Sequence, residues 1–295
     1  MSREPWLSLN RFLRHRFGCR VQKIPVDAGL GCPNRDPSTG LGGCIYCNRL
    51  GSGTGAWKRG IDVEGQIEAG ITWARRRYRA GKFLVYFQSF SNTFAPLGHL
   101  ERLYSQALCH EDVVGVCIGT RPDCVDRQRL DLIARIFQGK MVWMEYGLQS
   151  ASDATLLRIN RGHKVQDFID AVRLTREYPF LVCAHLIFGL PGEGAEEMER
   201  SVELLAGLRV DGVKFHQLYV VKGTEMERLY RAGLYTPMSQ RAYARMVARA
   251  IEILPEGTVI QRLTGDPVQG ELLAPAWSTD KQGTISMIRR MVAGR

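Results

Sequence analysis

No stretch of this chain stays apolar for the ~18–20 residues that a membrane-spanning helix needs, although hydrophobic residues fill 45% of its 295 positions. Residues 1–20 lack the apolar centre of a secretory signal and are interrupted by arginines. Acidic residues are scarce, 30 against 40 Lys and Arg, which leaves a formal charge of +10. Framework cysteine spacing is absent as well: Cys19, Cys109, Cys117, Cys124 and Cys183 fall at no regular interval. That pattern excludes a disulfide-stapled secreted scaffold and suits a reducing compartment, where thiols persist. We find neither an internal repeat beyond βα alternation nor a low-complexity segment. The expectation is a cytoplasmic protein, free of any membrane, with one large core.

The other three cysteines are different. Cys32, Cys44 and Cys47 stand as C-x11-C-x2-C in a glycine- and proline-rich stretch, VDAGLGCPNRDPSTGLGGCIYCN, between a strand-like run and a helix-like one. Thiolates are soft ligands that suit zinc or iron–sulfur. A structural zinc site normally closes with four ligands, whereas a [4Fe–4S] cube held by three thiolates keeps one iron open to bind a substrate.

Basic residues cluster. Arg3, Arg11, Arg14, Arg16, Arg20 and Lys23 face only Glu4 in the first 23 residues; Arg75, Arg76, Arg77 and Arg79 form a second group, and Lys281, Arg289, Arg290 and Arg295 a third. Such patches fit a polyanion such as nucleic acid, ahead of the plainer reading of a solvated basic surface.

Short apolar runs alternate with helical stretches, the pattern of βα units on a parallel sheet. Strands are expected at 21–27, 83–88, 113–119, 141–148, 181–188 and 212–218, with helices near 61–78, 99–108, 126–137, 164–177 and 195–208. Tyr243, Met246, Val247, Ala250, Ile251 and Leu254 follow Ser239 at helical spacing, so Ser239 reads as an N-cap. Beyond them lie a short strand at 259–262 and a last helix from about Lys281. By strand alternation Glu145, His216, Gln217 and Tyr219 point inward and are substrate-side candidates.

The cysteine loop resembles that of a bacterial branch of the radical S-adenosylmethionine (SAM) superfamily, whose members carry this wide spacing. VYFQSFSNT (85–93), GTRPDC (119–124), EYGLQS (145–150), INRGH (159–163), HLIFGLPGE (185–193) and FHQLYVVKGTEM (215–226) resemble the same family, so the likeness spans residues 11–277. Nearest in kind are the radical SAM domain of the Elongator catalytic subunit and the anaerobic coproporphyrinogen-oxidase type. Leu30-Gly31 stands where the family shows Phe-Thr.

The resemblance implies an α/β fold: a partial (β/α)6 barrel over residues 1–257, open on one side, with a basic extension, 258–295, packed on it. It implies a [4Fe–4S] cluster on Cys32, Cys44 and Cys47, with SAM on the open iron. Tyr46 then takes the position that packs on adenine; Gln88, Ser89, Thr120, Asp123, Gln149, Arg161, His185 and Gly189 match positions around SAM. Arg161 suits a carboxylate through its planar fork, and Gly189, Gly192 and Gly194 let the backbone come close to a ligand.

By the same likeness the chain is a radical SAM enzyme acting on tRNA at the wobble uridine, remodelling carboxymethylaminomethyl toward aminomethyl, with flavodoxin or ferredoxin as electron donor and no DNA partner. No acetyltransferase-like extension is recognisable. An enzyme on a small metabolite such as a tetrapyrrole, and a non-catalytic metal-bearing RNA-binding protein, are the alternatives.

Overall fold

The computed structural model describes residues 4–37, 42–48, 51, 55–267 and 270–294. Arg3 and Arg295 of the basic clusters, and residues 38–41 of the cysteine loop, lie outside the described residues. In chain order the elements are β1 (Leu7–Ser8), α1 (Leu9–Phe17), β2 (Val21–Val26), α2 (Val63–Tyr78), β3 (Lys82–Phe87), α3 (Leu97–Gln106), β4 (Val113–Thr120), α4 (Arg127–Ile136), β5 (Met141–Gln149) and α5 (Asp153–Arg158). Then come α6 (Val165–Thr175), β6 (Leu181–Phe188), α7 (Ala195–Gly207), β7 (Gly212–Gln217), β8 (Val220–Val221), α8 (Glu225–Arg231), α9 (Gln240–Ile253), β9 (Val259–Arg262), β10 (Leu272–Ala274) and α10 (Lys281–Ala293).

All six expected strands are present as β2 to β7. They are apolar along their length because a parallel sheet is covered on both faces. The sheet, however, has eight strands, not six, in the order β1-β9-β7-β6-β5-β4-β3-β2, every neighbouring pair parallel. Residues 259–262, expected within an extension packed on the barrel, pair directly with β7 and carry β1 on their other edge.

The sheet is curled into a half-barrel, and one bond shows it. Laid flat, β2 and β9 would stand six strand spacings apart, about 29 Å. Yet Lys23 Nζ on β2 donates to Gln261 Oε1 on β9 over 2.6 Å.

Helices start where a side chain satisfies the free amides of the first turn. Asp62 accepts from the Gly65 amide to begin α2, Asp126 from Arg129 to begin α4, and Ser239 from Ala242 to begin α9, as anticipated. The main core lies between the sheet and these outer helices, around Val85, Ile118, Met144, Leu186 and Phe215.

A second core fills the lower barrel. Leu13 of α1 is buried with Val21, Leu84, Met141, Trp143 and Val259, and Phe12 meets Trp143 edge-on at 5.8 Å. Helix α1 therefore plugs the end where the strands begin. This corrects the reading of residues 1–23 as a mere basic segment: Arg11, Arg14 and Arg16 are exposed on α1, but Lys23 points into the barrel and is tied up by Glu145.

Candidate functional site

A cavity of about 380 Å³ opens at the C-terminal ends of the strands, the end at which βα barrels build their sites. Its wall includes Cys32, Cys44 and Cys47. Cys32 is extended and leads into a 3-10 turn begun by Pro33. Cys44 and Cys47 are joined by a turn, with the Cys47 amide donating to the Cys44 carbonyl over 3.0 Å.

Two neighbouring side chains brace this loop. Arg35 donates to the carbonyls of Cys47 and Asn48 at 2.6 and 2.7 Å. Asn34, buried, donates through Nδ2 to the carbonyls of Asn160 and Arg161 at 2.7 and 2.8 Å and lies 3.4 Å from Cys44 Sγ. The Ile45 amide adds a bond to the Ile159 carbonyl at 3.1 Å, so the cysteine loop is fastened to the turn after α5.

Arg161 is the hub of that turn. Its Nη1 faces Cys44 Sγ at 3.6 Å, Nη2 donates to the Gly147 carbonyl at 2.8 Å, and Nε donates to His163 Nε2 at 3.0 Å. Because Nε2 accepts, the His163 proton sits on Nδ1, 3.1 Å from the Lys164 carbonyl. Burial would raise the Cys44 thiol, but the charge and hydrogen bond of Arg161, helped by Arg121, hold it below its ordinary value. Burial wins at Cys47, which is raised despite Arg35.

At the end of β5 Gln149 has φ +72, a left-handed conformation rare outside glycine, beside a register shift against β6. Gly147 makes the crowding possible: a Cβ there would stand 2.5 Å from Gln149 Nε2 and 2.6 Å from Arg161 Nη2.

Below the thiols lies an ionic floor. Glu145 is fully buried; its Oε1 accepts from Lys23 Nζ at 2.6 Å, its Oε2 accepts from Lys214 Nζ, and His185 Nε2 stands 3.0 Å from Oε2. Burial would raise this carboxyl, yet Lys214, Lys23 and His185 together hold it well below the usual carboxylate range. Lys214 also donates to Tyr86 Oη at 2.9 Å. Burial, then Lys214, bring His185 down to about 4, and burial with Arg262 holds His216 well below its ordinary value. Both rings are neutral near pH 7, with centroids 6.0 Å apart.

The cavity brings together most residues singled out from the sequence: Tyr46, Gln88, Thr120, Gln149, Arg161 and His185 line it, as do Glu145, His216, Gln217 and Tyr219. Gln217 has little left to offer a ligand, since its Oε1 accepts from Thr264 Oγ1 and the Gly265 amide, each at 2.8 Å. Ser89, Asp123 and Gly189 are outside the wall. Ser89 is buried behind it, Asp123 holds Arg121 through two bonds of 2.9 and 2.7 Å, and the open side of Gly189 is filled by Met238. Asn34, Arg121 and Lys214 escaped notice, and Lys23 was read only as one of a basic cluster. Each lysine was legible as the lone Lys or Arg of its strand.

A half-barrel of parallel strands thus carries a trio of thiols at its rim, a βα-barrel protein with a soft-metal donor set. The chain matches the radical SAM superfamily over residues 29–205 and the radical SAM C-terminal domain over residues 210–293. It is 35% identical over 288 residues to the uncharacterized protein YtqA of Bacillus subtilis, covering 98% of this chain and 89% of that protein. It is 32% identical over 156 residues to the tRNA uridine(34) acetyltransferase of Dehalococcoides mccartyi, covering 52% of this chain and 33% of that one. Among solved structures it resembles Elp3 of the archaeon Methanocaldococcus infernus, with TM-score 0.64 and 18% identity over 82% of this chain and 55% of that one. The chain belongs to the radical SAM superfamily, whose enzymes use a [4Fe–4S] cluster and SAM.

The donor set fits such a cluster. A zinc ion with Zn–S bonds of about 2.3 Å would draw its sulfurs to about 3.8 Å from one another. Among the described residues the trio of ligand-type atoms lying within 4.8 Å is Glu145, Cys183 and His185, whose carboxylate is already spent on two ammonium groups. At the loop thiols, N–H groups of Asn34 and Arg161 face Cys44 Sγ, as hydrogen bonds to a cluster's sulfur ligands do. Cys124, the nearby candidate for a fourth thiol, is outside the cavity wall and is pushed up to about 11, by burial first and then by Asp123.

Proposed function

We propose that the chain acts on tRNA at the wobble uridine, converting a carboxymethylaminomethyl side chain toward aminomethyl. The observation that carries this reading is the 32% identity, across 52% of the chain, to a relative named for uridine 34 of tRNA. The +10 charge is in keeping with a polyanionic partner.

Cys32, Cys44 and Cys47 would hold the cluster, which, with SAM and an electron donor such as flavodoxin or ferredoxin, would supply one-electron chemistry for hydrogen abstraction from substrate carbon. The chain's own residues do the rest. Arg161 and Gln149 offer a guanidinium and an amide to the polar end of SAM, and Tyr46 offers a face to its adenine. Gln88 and Thr120 belong to the same shell, while Ser89, Asp123 and Gly189 stand behind it, Asp123 by fixing Arg121. Glu145 and Tyr219 shape the substrate end, and neutral His216, which burial and Arg262 keep from protonating, offers its ring nitrogens for hydrogen bonds there.

One observation favours a small anionic metabolite instead. The arginines of α1 sit at the closed end of the barrel, away from the cavity mouth. Nucleoside analysis of tRNA from a strain lacking this chain decides between the two. The wobble reading predicts loss of the aminomethyl form and build-up of the carboxymethylaminomethyl form; an unchanged profile refutes it.

A further inference from the structure

We propose that Arg262 is a substrate-binding residue that anchors a carboxylate on the group entering the cavity. Its position comes from an irregularity in β9. Val213 pairs with Ile260, but the next residue, Lys214, pairs with Arg262, so Gln261 is an extra residue in the ladder. In a regular strand neighbours point to opposite faces. Here Gln261 reaches inward to Lys23 while Arg262 also lines the cavity, as a bulge beside a site can arrange.

Arg262 is half-buried, and its guanidinium has no hydrogen-bond or ion-pair partner among the described residues. The other cavity arginines are engaged: Arg35 with the cysteine loop, Arg121 with Asp123, and Arg161 with Gly147 and His163. Nor does the floor cancel its charge. Lys23 and Lys214 share the single carboxylate of Glu145, and His185 and His216 are neutral, so with Arg262 the group carries a surplus of two positive charges. An unpaired guanidinium in a half-enclosed, positive cavity is matched by a planar anion that accepts two parallel N–H bonds. Cys44 and Cys47 respond most to Arg161, Arg121 and Arg35. Arg262 acts on His216, His185 and Tyr219. It therefore belongs to the substrate end of the cavity.

The choice of probe rests on the wobble-uridine reading. Anticodon stem-loop RNAs bearing carboxymethylaminomethyl-uridine, or its neutral amide, are titrated into the reconstituted, SAM-loaded protein. The native protein is expected to bind the acid about ten- to a hundredfold more tightly than the amide. Arg262→Gln should bind the two alike, and Arg262→Lys should fall between, with the melting temperature confirming that each variant is folded. Equal affinity of the native protein for acid and amide, or a preference that survives in Arg262→Gln, overturns the anchor and leaves the tRNA reading standing. So does an equal loss of affinity for SAM alone, which would assign Arg262 to the cofactor. If neither RNA binds the native protein, the tRNA reading fails, and acetate against acetamide decides the anchor. Selective stabilisation by acetate that disappears in Arg262→Gln supports it; no difference between native and variant overturns it.

Discussion

Arg161 Nη1 faces Cys44 Sγ across 3.6 Å, joining residues 117 apart in the chain. The same guanidinium donates to the Gly147 carbonyl, so one side chain ties the cysteine loop to the end of the central strand. Arg161→Gln removes the charge that lowers the Cys44 thiol and leaves the Gly147 carbonyl without that donor. Loss of charge-assisted bonds of this kind costs about 1.5–3 kcal/mol, so SAM affinity should fall by roughly tenfold or more. Gly147→Ala should do the same without touching a charge, because its Cβ would collide with Arg161 and Gln149. Titration of SAM into both reconstituted variants checks this, and unchanged affinity in both would contradict it.

Removing the floor's anion should be felt in stability. Glu145→Gln leaves two buried ammonium groups sharing a neutral amide, and breaking a buried ion pair from one side costs about 3–5 kcal/mol. The urea midpoint should drop accordingly. Lys214→Met should be milder than Glu145→Gln, since Lys23 still pairs with Glu145. The reverse order would contradict the assignment of Glu145 as the shared partner.

Acid should destabilise the fold earlier than carboxylates alone would cause. Burial, the largest influence on each, brings His163 to about 3 and His185 to about 4, against ~6.5 in an unfolded chain. Below pH ~6.5 the unfolded chain takes up protons that the folded state refuses. Stability is therefore greatest above that pH and falls as the pH drops toward 4, by at most about 1.4 kcal/mol per pH unit for each group. Glu145, held low by its lysines, adds a loss of the same sign further into acid. Urea midpoints measured from neutral pH down to pH ~4.5 should fall steadily, and less steeply in His163→Gln. A flat profile would contradict the burial of neutral histidines.

Helix α1 should prove essential to folding. Leu13 is buried in the lower barrel beside Trp143, and truncating a buried leucine costs about 2–5 kcal/mol. Leu13→Ala should lower the melting temperature markedly, while Arg14→Ala on the exposed side of the same helix should leave it nearly unchanged. Similar effects from both would refute the plug.

The sheet was legible because parallel strands covered on both faces are written as unbroken apolar runs. Val85 in β3 and Met144 in β5 sit in such runs. Helix α1 was hidden by its arginines, although Leu9, Leu13 and Phe17 recur at helical spacing. Strand β9 was seen as a strand, but nothing in four residues, two of them polar, tells where it pairs. Cysteine spacing announced the rim of the site. The floor was not announced, because the partnership of Lys23, Glu145 and Lys214 depends on how far the sheet curls, and that curl is a property of strands 69 to 122 residues apart.

The central claim is that three thiols, and no fourth, hold a cluster that leaves an iron open for SAM. The most direct measurement is the yield of 5′-deoxyadenosine and methionine when anaerobically reconstituted protein is given SAM and a strong reductant. Equal amounts of both products are expected from the native protein and from Cys124→Ala, and neither from Cys32→Ala, Cys44→Ala or Cys47→Ala. Iron-loaded native protein that releases neither product, or a Cys124→Ala variant that loses its iron, would contradict it.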